Sequence, residues 1–530
     1  MNMTRVRQRR VRAACCYSEA RLLDFLFPMP SELRLAAVDL GSNSFRLEIG
    51  IVEHQEFLRT EYLKETVRQG GGLDANRDLT PEAMQSGWNC LARFGERLAG
   101  FKRNQVRAVA TQTLREARNR DVFLARATKV LGFPIDVVSG REEARLIYQG
   151  VANKLPASSE KRLVIDIGGR STELALGHGL QARKMESYRV GSLVWSQRYF
   201  PDGQLSHKHF QKAQVAAAAV LEGATNVYQA ANWARAYGSA GTASAIGDIL
   251  GQAGWSADSI DREGLDWLLD TLVSAQEVER IKLPGLREER RPILAGGLSV
   301  LRALFDLLHI DRLEIAQGGL RHGLICDMLG ERDATSDLRD TTVERLASKF
   351  QVDAAHARRV GQVATALYRQ LYPVPQNGQR AQWDRALRKL GWAAQLHEIG
   401  SHISHSDYHK HGAYILDNAD ALGFAVAEMQ RLGVLVLGHR GKLRKIETEL
   451  DEEGLRMQLA ALRLAVILCH ARRDPEIQDM VLRRDANGML SLRYPSAWAL
   501  KYPQSAYLLQ EEVVAWQKTA WALDCGEDNR

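Results

Sequence analysis

The 530-residue sequence has no apolar run approaching the roughly 20 residues that a membrane helix needs. Nothing in it reads as a transmembrane segment. Its six cysteines, Cys15, Cys16, Cys90, Cys326, Cys469 and Cys525, are scattered without metal-type spacing, which suits a reducing cytoplasm. A secretory core is missing as well, because Asp24 interrupts the short LLDFLF run. There is also little excess charge of one sign. Of the net +7, five charges come from Arg5, Arg7, Arg9, Arg10 and Arg12, so the rest of the chain is close to +2. Global charge therefore gives no reason to expect a polyanionic partner; any such reason must be local. What remains is an ordinary globular composition with length for two to four domains.

The most informative stretch is Arg162–Gly177, RLVIDIGGRSTELALG. Two apolar runs, Leu163–Ile165 and Leu174–Leu176, flank a Gly-Gly turn and predict a buried β-hairpin. Asp166 stands where a buried strand wants another hydrophobe, and burying a charge is costly unless a partner or a metal compensates it. Gly168 and Gly169 leave the backbone bare for close approach to a phosphate, and Ser171, Thr172 and Glu173 follow at once. The pattern occurs twice. In Ala36–Gly50, AAVDLGSNSFRLEIG, Asp39 aligns with Asp166, Gly41 with Gly168, Ser44 with Ser171 and Leu47 with Leu174. Two facing hairpins of this kind would set two carboxylates and two anion-binding turns around one cleft, a site for a metal-bridged polyphosphate.

From Leu35 to Gly150 strands and helices alternate, which argues for an α/β layer fold. Thr80-Pro81-Glu82 predicts a capped helix to about Leu98. Val106–Ala110 and Ile135–Val138 read as strands, Asp121–Leu131 as a helix, and Ser139-Gly140 as the entry to another helix. Gly238-Ser239-Ala240-Gly241-Thr242 is a strand-to-helix glycine turn of the kind that presents N–H groups to an anion, and Gln317–Arg321 makes a similar turn. Past Glu331 the pattern becomes mostly helical, with His356, His397-Glu398, His411 and His439-Arg440 as its chemical features. The last residues, from about Pro495, read as a small helical appendage.

Glu142 and Glu143 are adjacent on one helix and project about 100° apart. Glu143 shares its face with Leu146, Ile147 and Gly150, the buried side, and is the candidate general base. Glu142 lies over Arg145 and reads as a solvated surface pair. Arg115 follows a strand end, where its planar fork would reach a phosphate or simply face solvent.

Taken in order and spacing, AAVDLGSNSFRLEIG, TQTLREA, SGREEARLIYQGV, VIDIGGRSTELALG and GSAGT resemble the Ppx/GppA family of exopolyphosphatases and guanosine pentaphosphate phosphohydrolases. HEIG at 397–400 and HGAYIL at 411–416 extend the likeness to its long form. The resemblance implies two actin-like α/β lobes of the actin–sugar kinase–Hsp70 superfamily, with a ribonuclease-H-like fold, around a cleft. The expected division is a disordered basic arm over 1–33, lobe I over 34–147, lobe II over 148–330, a helical HD-like domain over 331–495 and an appendage over 496–530. It implies Glu143 as the base that activates water, and Glu173 as a residue positioning magnesium and that water. Asp39 and Asp166 would bind Mg2+. Gly41, Ser42, Asn43 and Ser44, with Gly168, Gly169, Arg170, Ser171, Arg115, Gly241 and Thr242, would hold phosphate. Many relatives carry a third glycine where this chain has Arg170, so a loop needing positive φ there would be strained.

The expected activity is hydrolysis of the terminal phosphoanhydride of inorganic polyphosphate. The alternatives are the same cleavage of guanosine pentaphosphate and a non-catalytic polyphosphate- or nucleotide-binding regulator. The likeness further implies a homodimer. The expected location is the cytoplasm, with contact to the inner membrane as a second. Nucleic acid is not the expected partner, a nucleic-acid-binding arm being the alternative reading of the basic N-terminal segment. In the helical region it implies an HD-type fold that has lost its metal. Glu398 is one methylene longer than the usual aspartate and Val466 stands at the closing aspartate position, so His397 is expected to be a structural core histidine.

Overall fold

The computed structural model describes residues 33–53, 56–156, 158–256, 258–333, 338–375, 380–419, 421–485 and 488–528. The basic arm expected over 1–33 lies outside these, apart from Leu33. Lobe I is a sheet of β1 (Leu33–Leu40), β2 (Phe45–Glu53), β3 (Glu56–Glu65), β4 (Val106–Ala110) and β5 (Ile135–Val137), in the order β3-β2-β1-β4-β5. Lobe II contains β6 (Lys161–Ile167), β7 (Thr172–His178), β8 (Gln181–Tyr188), β9 (Arg235–Ser239), β10 (Ser259–Asp261) and β11 (Arg312–Ile315), in the order β10-β11-β9-β6-β7-β8. Without the edge strand β10, this is the lobe I order repeated, down to the antiparallel hairpin and its parallel neighbour. The internal repeat is therefore a repeat of topology, and the two lobes are actin-like.

Each hairpin reads as it does because its first strand is buried on both faces, as a strand covered on both sides requires. Leu35–Val38 and Leu163–Ile165 are essentially inaccessible to solvent. The helices open where expected. Thr80 accepts from the Ala83 N–H at the start of helix Pro81–Arg97, and Ser139 accepts from Glu142 N–H at the start of helix Gly140–Ala152.

That second helix packs against helix Leu320–Asp333 in a core that both sheets share. The core takes Leu35 and Val109 from lobe I, Val164 and Tyr237 from lobe II, and Leu146, Tyr148 and Leu324 from the helices. The two helices approach so closely that a Cβ on Gly323 would stand 1.9 Å from the Leu146 carbonyl oxygen. Glycine is required at that crossing. The lobe boundary expected at 147/148 falls inside this helix.

The region after 337 is a helical layer built on Ala354–Leu371, Arg380–Leu396, Tyr408–Asn418, Val426–Gly438 and Glu453–Leu468. It ends in a small sheet of β12 (Val481–Arg484), β13 (Leu490–Pro495) and β14 (Leu523–Asp528), in that order. The expected helical appendage is thus corrected in part. Helices Ser496–Lys501 and Pro503–Trp516 are present, but LDCGED forms a strand parallel to β13. Its glycine and acids carry little strand propensity, and the pairing is a tertiary choice. Leu509, Trp516 and Leu523 share one core with the helices before them.

Glu142 is the other correction. It is 1% exposed, and Arg145 donates to both its oxygens at 2.9 and 2.8 Å while also reaching Asp327 at 2.5 Å. The Gly423 N–H of the helical region donates to Glu142 at 3.0 Å. An i, i+3 pair that looks solvated on one helix is buried because another domain docks on it.

Candidate active site

The cleft between the lobes encloses about 500 Å³. Of the residues singled out in the sequence, Asp39, Gly41, Ser42, Asn43, Ser44, Glu143, Asp166, Gly168, Gly169, Ser171 and Gly241 line it. The two hairpin turns face each other across it. A Cβ on Gly169 would lie 3.3 Å from the Ser42 Cβ, so the loops of the two lobes meet there.

Register explains which side chains project together. Asp39 in β1 pairs with Arg46 in β2, whereas at the equivalent point of lobe II Asp166 in β6 pairs with Glu173 in β7. The repeat therefore carries opposite charges at its second position. Asp39 is flanked by arginines, with Arg46 at 3.8 Å and Arg321 at 3.6 Å. Asp166 accepts from Ser239 at 2.9 Å, and burial with the Glu143 charge pushes its carboxyl up to about 7. Burial likewise holds Glu173 well above the usual carboxylate range, with Glu143 and Asp166 adding to the rise.

Glu143 lies in the cleft with Arg115 donating to its Oε2 at 2.6 Å. Burial raises its pKa, the arginine opposes that rise, and Asp39 adds to it. Arg115 is not at the cleft surface. Its fork is spent on Glu143, on the Val138 carbonyl at 3.0 Å and on Gln112 at 2.6 Å. It positions a carboxylate where a phosphate contact was expected.

Three more expected residues stand off the cleft. Glu173 is buried behind Asp166 and accepts from Ser187 at 2.7 Å. Thr242 donates to the Ile167 carbonyl at 2.8 Å and so braces the loop from beneath. Arg170 turns outward to Glu116 and to the Gly70 carbonyl, both at 2.7 Å. It is not among the residues with positive φ, so the loop accepts the side chain without the expected strain.

Sequence reasoning missed the cations. Arg46, Lys64, Arg287, Arg290 and Arg321 all line the cleft. Burial, with Arg46 nearby, lowers Arg290 to about 10, and burial also lowers Lys64, although Glu289 pairs with it. Gly241 exists to seat one of them: a Cβ there would meet Arg290 Nη2 at 1.7 Å. Arg46 and Arg321 sat inside stretches already singled out. Lys64 on β3 and Arg290 in REERR resembled ordinary surface charge.

Carboxylate oxygens are hard donors of the kind Mg2+ takes. Among the described residues no three of these carboxylates bring oxygens within 4.8 Å of one another. That spacing fits an ion held by one or two carboxylates and completed by water and phosphate. In the helical region the structure does gather His356, His397 and Glu398, despite the longer side chain of Glu398, and Val466 packs against the core.

The Ppx/GppA phosphatase family profile matches residues 51–332, and that of its domain III matches residues 338–513. A guanosine-5'-triphosphate,3'-diphosphate pyrophosphatase of Aeromonas hydrophila subsp. hydrophila is 37% identical over 491 residues, covering 92% of this chain and 97% of the relative. The protein of the same name from Pseudoalteromonas translucida is 36% identical over 507 residues, covering 93% and 98%. Among solved structures, an exopolyphosphatase from Cytophaga hutchinsonii shares the fold at 22% identity and TM-score 0.50, covering 56% of this chain and 98% of that one. No helix among the described residues is long and apolar enough to cross a membrane. With family profiles matching residues 51–332 and 338–513 and relatives alike over nearly their whole length, this chain belongs to the Ppx/GppA phosphatase family and is a phosphoanhydride hydrolase.

Proposed function

We propose that this protein removes the terminal 5'-phosphate of guanosine pentaphosphate. The observation that carries the reading is the charge layout of the cleft. The carboxylates Asp39, Glu143 and Asp166 share one cavity with Arg46, Lys64, Arg287, Arg290 and Arg321. Burial and neighbouring positive charge lower the pKa values of Lys64 and Arg290, and a multiply phosphorylated nucleotide brings anionic charge that favours both cations. The names of the relatives, which specify guanosine-5'-triphosphate,3'-diphosphate, favour this substrate over the polyphosphate expected first from the sequence.

Glu143 takes the proton of the attacking water. Its burial keeps its pKa nearer working pH than a free carboxylate's, and Arg115 fixes one oxygen so that the other is aimed. The loops Gly41–Ser44 and Gly168–Ser171 orient the phosphates from both lobes. Asp39 and Asp166 would hold Mg2+, with Glu173 behind them. Because Arg46 and Arg321 already stand beside Asp39, Asp166 would be the stronger ligand. When bound, the ion neutralises charge on the transferring phosphoryl oxygens. Such catalysis is mostly positioning and electrostatics, since base help alone supplies about 10²–10⁴-fold.

The basic residues Arg385, Arg388, Lys389, Arg440, Lys442, Arg444 and Lys445 cluster in the helical region, where the family resemblance would place a polyphosphate channel, and are partly committed elsewhere. Lys389 pairs with Glu428 at 3.1 Å and Arg440 lies 4.7 Å over the Tyr408 ring. Phosphate release from guanosine pentaphosphate and from long-chain polyphosphate, compared on one preparation, tests the assignment. At least tenfold higher kcat/KM for guanosine pentaphosphate supports it. The reverse ratio overturns it in favour of an exopolyphosphatase.

A further inference from the structure

Away from the cleft, the helical region brings together a second and chemically different set of donors. His356 lies in the first turn of helix Ala354–Leu371, and His397 with Glu398 follows the end of helix Arg380–Leu396. One donor atom from each lies within 4.8 Å of the other two, and among the described residues no other trio of His, Cys, Asp or Glu does this. His397 is fully buried. Its Nδ1 lies 2.7 Å from the Ala394 carbonyl oxygen, which can only accept, so Nδ1 carries the proton and Nε2 presents a lone pair. That Nε2 has no hydrogen-bond partner, and the Nε2 of His356 lies 4.0 Å from Glu398 Oε1. Imidazole nitrogens left unpaired in a core are an uncompensated cost unless something else occupies them.

Glu398 is held in place from outside. Arg472 donates to its two oxygens at 2.8 and 3.1 Å and to Asp353 at 2.8 Å. Asp353 matches the arginine charge, so the Glu398 carboxylate is oriented without being fully neutralised. A histidine whose far N–H is fixed by a backbone carbonyl, beside a carboxylate fixed by its own partner, is the outer-shell arrangement that metal ligands require.

We propose that His356, His397 and Glu398 form a binding site for a divalent transition-metal ion of the zinc type. Two imidazoles and a carboxylate suit Zn2+ and disfavour Mg2+, which takes oxygen ligands and keeps its waters. The ion ties the first turn of one helix to the end of the next, so its binding stabilises the helical region. The site is independent of the phosphatase cleft and of the substrate assigned to it.

The test uses the full chain, stripped with chelator and dialysed, then titrated with Zn2+ calorimetrically and with Co2+ followed by visible absorption. The expected result is one equivalent of tight Zn2+ that excess Mg2+ does not displace. Glu398→Gln, at a partly exposed position, weakens it by about 10–100-fold or more and abolishes the Zn2+-dependent rise in Tm. Asp166→Asn leaves it unchanged, which separates this ion from any bound in the cleft. Absence of that equivalent from the unmodified protein, its loss in Asp166→Asn, or unaltered binding in a folded Glu398→Gln would overturn the proposal.

Discussion

Arg170, on the turn of the lobe II hairpin, donates to Glu116 of lobe I at 2.7 Å and closes a bridge between the lobes beside the cleft. Both side chains are mostly shielded from water, and Arg170 lowers the Glu116 pKa against the effect of burial. At the position where the family resemblance leads one to expect a third glycine, this chain has a clasp. Arg170→Ala and Glu116→Ala should each destabilise the protein by about 1–3 kcal/mol, with strong non-additivity in the double variant. Denaturant unfolding of the cycle measures this, and additive losses would show that the bridge is not made in solution.

Glu143→Gln should lower kcat by about 10²–10⁴-fold while leaving KM within a few-fold, because it removes the base without removing a phosphate contact. Glu142→Gln should behave differently. It should keep the chemistry and lose about 1–3 kcal/mol of stability, since its charge lies in the buried Arg145–Asp327 network under the helical region. Steady-state kinetics and unfolding of both variants, side by side, separate the two roles. Near-native kcat in Glu143→Gln would remove it from the mechanism.

The Asp166 carboxyl is raised from 3.8 to about 7 in the folded protein, so between those values the folded state holds a proton that the unfolded chain has lost. Stability from this group is present below pH 4 and is lost as pH rises to about 7. A divalent ion on the ionised carboxylate should restore it. Mg2+ should therefore raise Tm at pH 8, with the effect fading below pH 7. Asp166→Asn should remove the effect of Mg2+ and make the metal-free protein more stable at pH 8. Thermal unfolding from pH 5 to 8, with and without Mg2+, checks the sign. Equal Mg2+ shifts at both ends would refute the assignment.

Gly241 and Arg290 should fail in the same way. Arg290→Ala removes a cleft cation, and Gly241→Ala places a methyl where the guanidinium lies. Because the clash is with the far end of a flexible side chain, the fold should survive and Arg290 should move. Each variant should raise KM about 10–100-fold, the equivalent of one charge-assisted contact, with kcat far less affected. A normal KM in Arg290→Ala would exclude it from substrate binding.

The sequence by itself determined the paired hairpins, the capped helices and the placement of Asp39, Glu143 and Asp166 in one cleft. These follow from local chemistry: apolar runs that need burial, caps that satisfy orphan N–H groups, and an acid lodged where a strand wants a hydrophobe. Tertiary structure decided what those residues face. It turned Arg115 from phosphate to Glu143, Arg170 from the cleft to Glu116, and Thr242 to a carbonyl beneath the loop. It buried Glu142 by docking a distant helical region onto it, and made a strand of Leu523–Asp528 through β13. It also drew Lys64 and Arg290 to the substrate side from positions 226 residues apart in the sequence. A long side chain has several partners within reach, and which one it takes depends on charges and surfaces brought by other parts of the chain, whereas the hairpin and cap signals are complete within a dozen residues.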